Sequence, residues 1–221
     1  MPRTRSILLF TISLFFTLNA APVGNAGLVR DRKPMSPEQI QSEFKKFQKP
    51  SRLTGHFEQV KTIKEIDVQI KTSGQFEIRR QSNHNVSLVW KIEKPDPMMV
   101  CIDDETVVFD NPRLKKKSTL KMSEISSQDS AGLTKLVQLI KMNPDLLASD
   151  FLVATDNKKY YISPKDKKNY QFSNAEVELD PKKNVREILL NEVNGDELLI
   201  KFAQTKEATL NEAELKTKAC R

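Results

Sequence analysis

Few residues in this chain could do covalent or metal chemistry. Histidine occurs only at His56 and His84, and cysteine only at Cys101 and Cys220. None of these stands at a spacing that would gather a metal's ligand set, so no metal site is expected. Ser118 and Lys121 form an S-x-x-K string, but the Ser-Asp-Asn and Lys-Thr-Gly strings that complete such an acyl-transfer site are absent. The six glycines build no phosphate-cradling loop. Neither enzymatic activity nor a cofactor is expected.

Arg80 is the residue whose chemistry conflicts with its position. From Ile66 to Arg80 the even positions are Ile66, Val68, Ile70, Thr72, Gly74, Phe76, Ile78 and Arg80, whereas no odd position is apolar. Alternation at period two over this length predicts a β-strand with one face in water and the other against apolar matter. Arg80 falls on the apolar side. A charge there is costly unless it is paired or reaches solvent. It is either a strand-end arginine that reaches water or a local carboxylate, or part of a binding cavity.

The next segment repeats the rule, with Val86, Leu88, Trp90 and Ile92 sharing one parity. Two long strands therefore present a wide apolar surface, and Gly74 offers a place for the first to bend. Further strands are predicted over 53–63, 98–103, 106–110, from 152 through 162, and over 170–179, 185–193 and 197–204. The turns between them are marked by Pro95-Asp96-Pro97, Asn111-Pro112, Ser163-Pro164, Asp180-Pro181 and Asn194-Gly195. Links this short require antiparallel pairing. Ser36-Pro37-Glu38-Gln39 reads as a capped helix start, and Ile40, Phe44 and Phe47 then form one apolar stripe. Leu133, Leu136, Val137 and Ile140 form a second stripe on a helix ending near Asn143-Pro144. Residues 27–35 and the polar stretch from Lys115 to Asp129 read as irregular, and Lys115-Lys116-Lys117 as a solvated loop. Such stripes serve any core helix as well as a lid.

The result is a mainly β, α+β fold: ten or eleven antiparallel strands in one sheet that curls, with two or three helices on its concave side over an apolar cavity. One domain spans 27–221. Residues 1–26 read as a secretory signal peptide, with Arg3 and Arg5 before the apolar run Ile7 to Leu18 and small residues ending at Ala26, Ala20 being the alternative cleavage point. Cleavage after Ala26 leaves a charge of +5 on 195 residues. The mature protein is expected to be soluble, exported and monomeric, and no cysteine stands at the cleavage point to carry a lipid anchor. Its lysines are dispersed, and no nucleic-acid partner is expected. In an oxidising compartment Cys101 and Cys220 can bridge; two independent thiols are the other reading.

The landmarks Gly55-x-Phe57-x-Gln59, Gly74-x-Phe76-x-Ile78-x-Arg80, Leu88-x-Trp90, Pro95, Val100-x-x-Asp103, Phe109-Asp110-Asn111-Pro112 and Ile162-x-Pro164-Lys165 follow one another in this order. In order and spacing the sequence resembles the LolA family of periplasmic lipoprotein carriers, over about residues 36–165. The resemblance implies an unclosed β-barrel with a helical lid. It implies acyl chains accepted from an inner-membrane ABC transporter and passed to an outer-membrane receptor. Arg80, following Arg79, matches the family's functional arginine, which is associated with holding the lid closed and with transfer. Trp90 and Val100 match apolar cavity positions. Phe57, Phe76, Ile78, Leu88 and Ile92, with the lid residues Ile40, Phe44 and Phe47, complete the expected acyl-chain site. The chain departs from the family pattern where Gln81 replaces a proline and begins the insertion Ser82 to Asn85, and where Ile102-Asp103-Asp104 replaces a Ser-Asp-Gly turn. A divergent member is expected, carrying lipoproteins; the alternative is a module that binds or senses free lipids or glycolipids.

Overall fold

The computed structural model describes residues 32–81, 85–103, 105–121, 143–170, 172–211, 214 and 220. Residues 32–221 form one compact unit. The signal-peptide segment and the helix expected around Leu133–Ile140 lie outside the described residues.

The chain enters through a short strand, β1 (Lys33–Pro34), and then helix α1 (Pro37–Phe44). Ser36 begins α1 as its sequence requires: its hydroxyl accepts from Gln39 N, and the Gln39 side chain accepts from Ser36 N at 2.8 Å. A 3-10 turn, Lys45–Gln48, extends the helix. Six strands follow: β2 (Ser51–Ile63), β3 (Val68–Arg80), β4 (Val86–Lys94), β5 (Met98–Ile102), β6 (Thr106–Asn111) and β7 (Lys116–Lys121). Helix α2 (Pro144–Asp150) is capped by the Asn143 side chain. After it come β8 (Phe151–Thr155), β9 (Lys159–Pro164), β10 (Phe172–Leu179), β11 (Val185–Glu192) and β12 (Glu197–Ala208).

The twelve strands make one antiparallel sheet in the order β1-β8-β9-β10-β11-β12-β2-β3-β4-β5-β6-β7. It starts at β1 and ends at β7, so it does not close. Inward side chains of β4 to β6 share one apolar cluster with those of β8 to β11, which requires the sheet to curl around them. Its spine is the β2–β3 hairpin, paired without a break from Ser51↔Arg80 to Ile63↔Val68.

β3 and β4 approach closely at Gly74. A Cβ at Gly74 would stand 1.9 Å from the Lys91 carbonyl oxygen, and the β3–β4 register shifts between Ser73 and Gly74. The irregularity at Gly74 is therefore a bulge on the facing strand, with Glu93 as the extra residue of β4, and the close approach there excludes a side chain at Gly74.

Three local readings change. Ile66 lies in a 3-10 turn, Lys64–Ile66, and β3 starts only at Val68. Ile66, Val68 and Ile70 are exposed, because the far half of the hairpin extends beyond the elements that cover the rest of its face. The lead-in contains β1, which pairs Lys33 and Pro34 with Thr155 and Ala154. Lys116 and Lys117 open the edge strand β7, where their charges suit a rim with free backbone groups.

Candidate functional site

The inward positions of β2, β3 and β4 meet as the alternation demands. Phe57 stacks on Trp90 with ring centres 3.8 Å apart, and Phe76 lies 6.2 Å from Trp90. Ile78, Leu88 and Val100 are buried beside them, while Ile92 is partly buried at the margin. Ile40 and Phe44 of α1, and Phe47 of the 3-10 turn, close over the same cluster, with Phe44 fully buried. The structure thus brings together every apolar residue expected at the site.

It also adds residues that the sequence reading passed over. Phe202 of β12 meets Phe76 edge-on at 5.0 Å and Trp90 at 6.1 Å. Its parity with Leu198 and Ile200 was the available signal. Leu147 of α2 is fully buried in the cluster. Tyr160 of β9 packs on Phe44 at 5.0 Å and donates its hydroxyl hydrogen bond to Glu43 Oε1 at 2.7 Å. Lys183 reaches the same oxygen at 3.2 Å, so α1 is held to the sheet at two points. Gln41 donates to Asp145 at 2.5 Å and ties α1 to α2. Burial, and then Glu43, push the Tyr160 phenol well above its ordinary value. Tyr170, which donates to Asp150, is pushed up to about 12 by burial and that carboxylate.

Arg80 is 4% exposed. Its Nη1 donates to Ser51 Oγ at 3.5 Å, and its Nε has no acceptor. Its Cζ stands 5.4 Å from the centre of the Phe47 ring, within cation–π range. Burial lowers its pKa, and the charge of Glu207 acts in the opposite direction. Among the described residues no ion pair includes Arg80. It is therefore buried, and among the described residues it pairs with no carboxylate. Glu207 shares its face because β12 is bulged between Ala203 and Lys206, which sets Lys206 opposite Thr54 and Glu207 opposite Leu53. Without the extra residue, a lysine would stand on the inner face near the arginine.

A groove of about 300 Å³ lies on the outward side of the sheet, lined by Thr54, His56, Gln75, Glu77, Lys91 and Lys206 among others. Its lining mixes these polar and charged side chains with Phe76 and Val89. Cys101 and Cys220 form a disulfide with Cα atoms 5.5 Å apart. Cys101 faces outward between Val89 and Val108, so the bond fixes residue 220 against the outside of β5. Among the described residues no group of three or more His, Cys, Asp or Glu could hold a metal.

A family model described as outer membrane lipoprotein carrier protein LolA matches residues 48–218. No curated protein matches the sequence. Among solved structures, the MucA/MucB complex of Pseudomonas aeruginosa is 14% identical, with a TM-score of 0.43 over 83% of this chain and 61% of that one. A putative outer membrane lipoprotein-sorting protein domain from Vibrio parahaemolyticus is 12% identical, with a TM-score of 0.47 over 82% of this chain and 96% of that one. A DUF1329 family protein from Desulfovibrio piger is 11% identical, with a TM-score of 0.49 over 84% of this chain and 98% of that one.

Proposed function

The chain belongs to the family of outer membrane lipoprotein carrier proteins, and we propose that it works as a periplasmic carrier that shields lipoprotein acyl chains in transit. One observation carries this reading: the apolar inner face of the curled sheet is covered by short amphipathic helices rather than by a second sheet. Burying one methylene is worth about 0.8 kcal/mol, so a sixteen-carbon chain gains on the order of 12 kcal/mol gross. A rigid open cavity would hold such chains too tightly to release them. A face already claimed by Ile40, Phe44 and Leu147 gives back part of that gain, because ligand and lid compete for the same surface.

In this reading Phe57, Phe76, Ile78, Leu88, Trp90, Ile92 and Val100 receive the chains once α1 and α2 lift. Residues 1–26 direct export, and the Cys101–Cys220 disulfide suits an oxidising compartment. The donor would be an inner-membrane ABC transporter and the acceptor an outer-membrane receptor. Native mass spectrometry and lipid extraction of protein purified from its own envelope test the proposal. Recovery of acylated protein is expected. Free lipid alone would make it a lipid-binding module instead, and recovery of neither would contradict both.

A further inference from the structure

Arg80 has a buried donor that the described residues do not satisfy. A buried donor without an acceptor carries the full desolvation cost of that group. Here the donor is Nε of a guanidinium that is 4% exposed, and its one side-chain hydrogen bond, to Ser51 Oγ, is long at 3.5 Å. Phe47 covers the guanidinium from the lid side with its ring face, which attracts the cation without accepting a directed N–H bond at Nε. No described residue supplies the acceptor at Nε, and the Phe47 ring stands over the guanidinium on the side of the turn Lys45–Gln48.

Position says what that acceptor is joined to. Arg80 ends the inward row that runs back through Ile78 and Phe76, and its β4 neighbours Val86, Leu88 and Trp90 continue beside it. From Arg80 to Gly74 the strand covers about 20 Å of apolar surface. A ligand with its polar end at Arg80 would lay its hydrocarbon along that row. Glu207 stands on the same face, opposite Leu53, and supplies a negative charge at a distance, so a neutral oxygen is enough.

We propose that Arg80 and Ser51 form a head-group subsite that takes the acyl-ester carbonyl oxygen at the polar end of an acylated glycerol. The inference rests on the carrier reading and narrows it: the protein recognises where the chains are esterified as well as the chains themselves. The ester can belong to a lipoprotein's diacylglyceryl-cysteine or to a free glycerolipid.

The test is displacement of a fluorescent fatty-acid probe by two matched pairs. One pair is a dipalmitoylglyceryl-cysteine peptide and its dihexadecyl ether counterpart; the other is dipalmitoylglycerol and its dihexadecyl ether. The native protein should prefer each ester to its ether by about tenfold, the scale of a hydrogen bond to a charged donor. Arg80→Met should abolish the preference, bringing ester and ether to one common affinity, and Arg80→Lys should reduce the preference. Equal affinity for ester and ether in the native protein overturns the subsite while leaving the carrier reading intact. Failure of all four to displace the probe contradicts both. A tighter peptide pair assigns the ester to lipoprotein, and a tighter glycerol pair to free lipid. Should either variant fail to fold, the ester-to-ether ratio of the native protein still decides.

Discussion

The guanidinium carbon of Arg80 stands 5.4 Å from the centre of the Phe47 ring, so the end of β3 and the turn that extends α1 meet through a cation and an aromatic face. The contact joins the sheet to its cover without an ion pair. Glu43 ties α1 to the sheet as well, through its ion pair with Lys183 and the hydrogen bond from Tyr160, so lifting the lid parts one surface ion pair along with this contact.

Arg80→Met should leave the protein as stable as before, or raise its urea midpoint. The substitution removes a buried cation that makes no ion pair among the described residues, and holding such a charge out of water is costly. A clear drop in midpoint would show that Arg80 holds the fold together.

Phe44→Ala should weaken the fold and strengthen ligand binding together. Truncating a fully buried phenylalanine costs about 3–5 kcal/mol. If ligand and lid share one surface, part of that loss reappears as tighter binding of a hydrophobic probe. Urea unfolding and probe titration on the same preparation check both halves. A destabilised variant with weaker binding would mean that Phe44 is core alone.

Gly74→Ala should be severely destabilising. The new Cβ would meet a backbone oxygen at 1.9 Å, and neither strand can yield without losing the bulge. Thermal unfolding should show a large fall in midpoint or no cooperative transition, whereas an unchanged midpoint would contradict the close β3–β4 approach.

Tyr160 and Tyr170 should stay protonated at pH 10 in the folded protein, and Tyr161 should titrate above its free value. Burial is the leading cause at Tyr160, Tyr161 and Tyr170, followed by the carboxylates Glu43, Asp156 and Asp150. A raised folded pKa contributes stability that is complete below the unfolded value near 10 and is lost as pH rises through the folded value. For Tyr170 that window runs from about 10 to about 12. Phenolate absorbance near 295 nm should therefore rise late, together with alkaline unfolding. A titration centred at the free value would refute the buried phenol network.

Much of this architecture is legible in the sequence, for a local reason. Period-two alternation reports which face of a strand a side chain occupies, and it places Phe57, Phe76, Leu88 and Trp90 on one surface. It does not report whether anything covers that surface, so Ile66, Val68 and Ile70 follow the same rule and end in water. The edge strands β1 and β7 carry Lys33-Pro34 and a lysine-rich run, which resemble loops because nothing buries them. Tyr160 and Glu43 are 117 residues apart, and no local pattern announces their contact. The inward turn of Glu207 depends on a bulge that strand parity alone would assign to Lys206.

Trp90 gives the most direct test of whether the inner face takes hydrocarbon. It is the chain's single tryptophan and lies stacked on Phe57 at the centre of the apolar row. A brominated fatty acyl ester should quench its fluorescence saturably, and the unbrominated ester should compete the quenching away. Unchanged tryptophan emission at saturating ligand, with the protein folded throughout, would contradict a carrier whose acyl chains lie against this face.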